Sequence, residues 1–154
     1  MSRLYILVRN DLHSMNPGKA IAQASHCVSQ FVLKHPKDAA DWAEYRGFGS
    51  TIVLEGSQED IEHFTQEYIE NVYPIWGDII DPTYPFKLQR EIIPYLVDNL
   101  GKIEYDEATE DQYGMVNATR TEYTASWFFL PDVEDEALEE LKAKMEENNI
   151  KLFR

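Results

Sequence analysis

Leu4-Tyr5-Ile6-Leu7-Val8, closed by Arg9-Asn10-Asp11, and the stretch Asn16-Pro17-Gly18-Lys19-Ala20-Ile21-Ala22-Gln23-Ala24-Ser25-His26 that follows it decide how this chain is read. The first is a short continuous run of strand formers, the pattern of a strand buried on both faces. The second opens a helix. Asn16 is a good N-cap, and Pro17 sits at the first helical position, where its missing N–H leaves no hydrogen bond unmade. The helix is predicted to run from Pro17 to about Lys34. Ile21, Ser25, Val28 and Val32 share one face at helical spacing, with Ala24 and Phe31 beside them, whereas Lys19, Gln23, His26 and Gln30 form a separate polar stripe.

Outward from this unit the pattern alternates. Asp38–Tyr45 reads as a short second helix carrying Trp42, and Gly47-Phe48-Gly49 breaks the chain before a strand around Thr51–Leu54. Ser57 and Asp60 resemble a capping box, opening a helix to about Tyr73 with Ile61, Phe64, Tyr68 and Val72 inward. Ile75–Ile80 reads as a third strand, stopped by Asp81-Pro82. Strand, helix, strand, helix, strand predicts an α/β domain with largely parallel pairing. Residues 86–121 break the rhythm and read as an insertion, with Leu88, Ile92, Leu96 and Leu100 suiting a helix that Pro94 would kink. Tyr123–Leu130 is a late strand. Val133–Asn148 is an amphipathic helix with Ala137, Leu138, Leu141 and Met145 inward, and Ile150–Phe153 suits a short edge strand.

Composition narrows the class. A chain of 154 residues, 44% hydrophobic, with seven Phe, nine Tyr and three Trp, is long and apolar enough for one folded domain. A single cysteine, Cys27, excludes an intramolecular disulfide and any cysteine-rich zinc site. No apolar run is long enough to span a bilayer, and Met1–Val8 does not resemble a signal peptide, so a cytoplasmic protein without a membrane partner is expected. The net charge of −14 is uneven: residues 1–50 carry six Lys/Arg against four Asp/Glu, and residues 51–154 carry eight against 24. The chain as a whole should repel nucleic acid, so a polyanion must be met by the N-terminal third.

Several residues are candidates for chemistry. A helix N-terminus presents unpaired N–H groups and a positive partial charge, and Lys19 in that first turn works against the dipole unless it is solvated or meets an anion. This is not a phosphate-binding P-loop, because His13 and Ala20 stand where that motif needs Gly and Ser or Thr. Lys19, Gln23 and His26 lie on one face at i, i+4 and i+7. Asp81 closes the third strand, and ligands of open α/β sheets gather at the carboxyl ends of parallel strands; Asp81-Pro82 is equally an ordinary strand end. His13, His26, His35 and His63 lack metal-ligand spacing with carboxylates, so no metal site is expected. Cys27 reads as a small core residue rather than a nucleophile.

Taken together, Leu7-Val8-Arg9-Asn10-Asp11-Leu12 followed by Gly18-Lys19-x-x-x-Gln23-x-x-His26 resembles the opening motif of the archaeal/eukaryotic-type peptidyl-tRNA hydrolases, the Pth2 family. Trp42, Ile79-Ile80-Asp81, Trp127–Pro131 and Ile150–Phe153 resemble later family landmarks in order. Departures are also present. The loop before Gly18 is one residue longer, and the family's Asp-Ala-Gly-x-Thr becomes Asp81-Pro82-Thr83-Tyr84-Pro85, which leaves Thr83 and Thr124 as hydroxyls near the missing threonine's place but out of register.

The resemblance implies a Pth2-like fold, a three-layer α/β/α domain over residues 1–154 with a mixed, mostly parallel sheet of about four strands. It implies hydrolysis of the ester between a peptidyl group and the tRNA 3′ end, without metal or organic cofactor. Asp81 would activate water, Lys19 would stabilise the oxyanion or hold a phosphate, and Gln23, His26 and Thr83 would position these groups. Arg3, Arg9, Lys34, Lys37 and Arg46 are the candidates to meet tRNA phosphates. Family members suggest a homodimer, and the 86–121 segment is a candidate docking surface for a protein partner. The acidic balance and altered Asp81 segment raise a second expectation: a catalytically weak binding or regulatory protein on the same fold.

Overall fold

The computed structural model describes residues 1–12, 15–95 and 103–153. The chain forms two compact units, Met1–Ile79 with Thr124–Arg154, and Ile80–Tyr123. The sheet order is β3-β5-β1-β2-β6, with β4 pairing β5 off that path.

In the first unit, β1 (Arg3–Arg9) is the central strand, and Leu4, Ile6, Leu7 and Val8 are fully buried, as their unbroken apolar run requires. β1 pairs in parallel with β2 (Thr51–Gly56), in register Leu4↔Thr51 through Arg9↔Gly56. The link between them is α1 (Pro17–Lys34) followed by α2 (Pro36–Ala43). The other neighbour of β1 is the antiparallel β5 (Met115–Leu130), and β2 pairs antiparallel with the short β6 (Lys151–Leu152). Phe129 N donates to Ile75 O at 2.9 Å and Ser126 Oγ to Gly77 O at 3.1 Å, so positions on β5 descend as those beside β3 (Trp76–Gln89) rise, the antiparallel sense. The α/β class therefore holds. The sheet has six strands rather than four and is mostly antiparallel, because β5 enters it beside β1, and β6 beside β2, each running opposite to its neighbour.

Helices cover both faces. Leu4, Ile6 and Val8 pack with Cys27 and Phe31 of α1, Ala39 and Trp42 of α2, and Ile79, Ala125, Trp127 and Phe129. Tyr5 stacks on Phe128 at 4.8 Å, and Phe128 meets Phe64 in the middle of the next helix and Tyr73 just past its end. That helix, α3, runs through Gln58–Phe64, a π-helical stretch Thr65–Ile69 and a last turn Glu70–Val72. Its start follows the expected capping, with Ser57 accepting from Asp60 N at 3.1 Å. The inward stripe departs beyond Tyr68: Ile69 is buried and Val72 exposed, because the π stretch winds one extra residue into the helix and rotates the following turn. The last helix, α4 (Asp135–Glu147), buries Leu141.

A larger correction concerns α1. Its buried residues are Ala20, Gln23, Cys27 and Phe31, while Ile21 is 68% exposed and Val32 42%. The helix is turned by about one position from the face that hydrophobicity alone selects. Phe31 decides the rotation, with ring centroids 5.6, 5.4 and 4.9 Å from Trp42, Trp127 and Phe129. One aromatic buried in such a cluster outweighs two aliphatic side chains left at the surface. Gly49 has φ +75 and lies so close to Trp42 that a Cβ would sit 2.2 Å from the indole; the glycine lets Trp42 Nε1 donate to Ser50 O at 2.8 Å.

The second unit holds the far part of β3, a turn at Arg90–Ile92, β4 (Ile103–Asp106) and the near part of β5. β4 and β5 pair antiparallel from Ile103↔Arg120 to Asp106↔Asn117. Leu88, Ile93, Ile103, Val116 and Ala118 form a small core with Phe86, over whose ring the Arg120 guanidinium lies at 4.8 Å. Asp81-Pro82 does not end β3. The strand lies at the sheet's edge, where a proline's missing N–H breaks no second ladder, so Pro82 and Pro85 are accommodated. The expected helix through Leu88 and Ile92 is not formed there: Leu88 is buried on the strand and Ile92 is exposed in the turn. Leu96, Leu100 and His13 lie outside the described residues.

Candidate active site

The start of α1 is built as its residue types dictate. Asn16 adopts extended φ/ψ and its Oδ1 accepts from Lys19 N at 3.0 Å, with Pro17 following it. No acidic residue occupies the first turn, so the positive helix end is uncompensated from within the helix, and Lys19 stands there half-buried.

One turn further, Gln23 is 4% exposed, although glutamine is ordinarily a surface residue. Its burial is made affordable by hydrogen bonding. Thr124 Oγ1, fully buried on β5, donates to Gln23 Oε1 at 2.6 Å and lies 3.4 Å from Ile79 O. The ring Nδ1 of exposed His26 lies 3.3 Å from the same Oε1. Gln23, His26 and Thr124 thus form one connected polar group. The sequence offers Thr124 only as a hydroxyl out of register with the family's threonine, because its partner is 101 positions away; a further signal is a threonine at an inward position of an apolar strand. Further along α1, Gln30 accepts from Trp127 Nε1 at 2.7 Å and donates to Asp78 O at 3.3 Å. The Cys27 thiol is buried, and burial pushes its pKa up, with the nearby Asp78 charge acting in the same sense. Such a thiol stays protonated and unreactive, in agreement with its reading as a core residue.

Within the second unit, Asp81 Oδ1 accepts from Thr83 N at 2.9 Å and from Thr83 Oγ1 at 3.4 Å, which holds one carboxylate oxygen in a local turn. Thr83 is exposed and Asp81 half-buried.

The basic candidates differ in environment. Lys34, Lys37 and Arg46 are exposed and Arg3 is half-buried. Arg9 is 6% exposed and forms a fork with Asp11, Nε to Oδ1 at 2.8 Å and Nη2 to Oδ2 at 3.2 Å. Asp11 Oδ2 also accepts from Gln58 N at the start of α3 at 3.2 Å. Burial pushes the Asp11 pKa up, but the Arg9 and Gln58 hydrogen bonds and the Arg9 charge together hold it below the ordinary carboxylate value. Among the described residues no three His, Cys, Asp or Glu side chains gather as a metal-holding group, and no helix is long and apolar enough to cross a membrane.

A parallel β1–β2 pair joined through a helix that carries a lysine in its first turn, with an amide and an imidazole further along it, defines an α/β protein whose first helix start has no acidic residue to offset its positive end. Comparison points to a family: residues 2–76, just under half of the chain, match the family model of peptidyl-tRNA hydrolase PTH2, so over that segment the chain is similar to the Pth2 family. Peptidyl-tRNA is the substrate of that family's activity, which belongs to translation. Lys19, Gln23 and His26 fall inside the matched segment; Asp81, Thr83 and Thr124 fall beyond it. No curated protein matches the chain.

Proposed function

We propose that this protein hydrolyses the ester joining a peptidyl group to the 3′ end of tRNA. The observation that carries the reading is the family match over residues 2–76, which contains Lys19, Gln23 and His26 on one helix. In this reading Asp81, its Oδ1 occupied by Thr83, orients and deprotonates the attacking water through its other oxygen. Lys19 and the first-turn N–H groups stabilise the developing oxyanion or hold a phosphate. Gln23 and His26 position the terminal ribose. Because Arg9 is already paired with Asp11, the phosphate contacts are assigned to Arg3, Lys34, Lys37 and Arg46. The chemistry is written without a metal or organic cofactor, and the protein acts as a cytoplasmic homodimer.

The test is release of labelled acyl-amino acid from N-acyl-aminoacyl-tRNA. Lys19→Ala and Asp81→Asn should each lower the rate by about 100-fold, the scale of a lost oxyanion donor or general base. Slow release that neither substitution alters would overturn the proposal. A second reading is favoured by one observation, the excess of 24 Asp/Glu over eight Lys/Arg in residues 51–154: a weak or inactive relative that binds a basic protein partner, with residues 86–121 as its docking surface. Capture of such a partner, lost when residues 86–121 are altered, together with absent hydrolysis would establish it.

A further inference from the structure

Thr124 is fully buried and lies outside the segment matched to the family. Its hydroxyl makes the shortest side-chain hydrogen bond in the Gln23–His26 group, 2.6 Å to Gln23 Oε1. That distance is ordinary for O–H···O and short for N–H···O, so the atom facing Thr124 is the amide oxygen rather than the nitrogen. The competing acceptor, Ile79 O, is farther away at 3.4 Å. With its single proton given to Gln23, Thr124 fixes which way the amide points. The same oxygen is then the atom that faces His26 Nδ1 at 3.3 Å. An acceptor at that place requires Nδ1 to carry the proton, and Nε2 is left with its lone pair.

We propose that Thr124 is a positioning residue that acts through Gln23 to hold His26 in the Nδ1–H tautomer, presenting Nε2 as a hydrogen-bond acceptor for a hydroxyl-bearing ligand. The hydrolase reading enters at one point, the identity of that hydroxyl as one of the terminal ribose of tRNA. Free imidazole in water favours the opposite tautomer, so the assignment predicts a measurable reversal.

The experiment reads the side-chain nitrogen resonances of His26 in the full chain with the imidazole neutral, for wild type, Thr124→Val and Thr124→Ser. Wild type and Thr124→Ser should show a protonated Nδ1 and an unprotonated Nε2; Thr124→Val should revert to a mixture dominated by Nε2–H, with the backbone amide spectrum preserved. Acyl-tRNA hydrolysis measured alongside should fall on the order of 10-fold in Thr124→Val and recover in Thr124→Ser, the scale of one misplaced positioning group. A wild-type His26 protonated on Nε2 overturns the proposal even if Thr124→Val fails to fold, and so does a folded Thr124→Val with the wild-type tautomer. The expected tautomers in a wild type that does not hydrolyse acyl-tRNA would uphold the role of Thr124 and overturn the hydrolase reading instead.

Discussion

The two units of this chain bury their apolar residues on different scales. In the first, both faces of β1 are covered, and a cluster of eleven buried residues gathers Phe31, Trp42, Trp127 and Phe129 on one side alone. In the second, the described residues form a cluster of five buried side chains with Phe86, while Tyr95 and Tyr113 are more than 70% exposed. Cooperative stability grows with the apolar area removed from water, so a unit with a smaller buried cluster opens locally at lower cost than one with two covered faces. The comparison teaches that the α1 site, with its buried Gln23 and Thr124, rests on the stiff unit, whereas Asp81 and Thr83 belong to the lightly built one. Polar groups that must be held in one orientation need such a rigid frame.

The sharpest way to break this contrast is at Phe31. Phe31→Ala should cost about 3–5 kcal/mol in chemical denaturation, the range for deleting a buried aromatic from a packed cluster, and should unfold residues 1–79 with 124–154 together. A loss confined to α1 would show that the larger unit is not cooperative. Leu88→Ala in the small core should cost about 2 kcal/mol, at the low end for such a truncation, because a thin core collapses around the gap. Amide hydrogen exchange should rise within 80–123 and stay unchanged in β1; uniform acceleration would show that the two cores unfold as one. A smaller effect is expected at the cap of α1: Asn16→Ala should cost about 1 kcal/mol and fray the turn that carries Lys19, visible as faster exchange at Lys19 N.

The smallest effect is one of pH. Because the folded Asp11 pKa lies below its unfolded value, Asp11 adds stability that is present above the unfolded value, about 3.9, and is lost as pH falls through the folded one. Acid titration of Asp11→Asn should therefore show a shallower loss of stability below about pH 4 than wild type. Identical acid limbs would remove Asp11 from the forces that hold β1 to the start of α3.

Much of the α1 site was legible from local chemistry. Asn16-Pro17 announces a helix start whatever surrounds it, and Ser57 does the same for α3, because a cap is satisfied by N–H groups three residues away. Lys19, Gln23 and His26 share a face through helical geometry alone. Leu4–Val8 declares a doubly covered strand by lacking any polar alternation. Pro82, by contrast, misled: it reads as a strand end until the strand is known to lie at the edge of the sheet, where its missing donor has no partner to lose.

What the amino-acid sequence determined by itself, then, is the set of elements whose signals are contained within a few residues: β1, the caps, the lengths of α1 and α3, and the polar residues on the first helix. Tertiary structure alone decided which way α1 faces, since that depends on Trp42, Trp127 and Phe129 closing around Phe31 from elsewhere in the chain. It also decided that Gln23 is buried with its oxygen toward Thr124, a bond across 101 positions. Local preference would leave a glutamine in water; only a distant hydroxyl, already buried and in need of an acceptor, makes its burial the lower free-energy state.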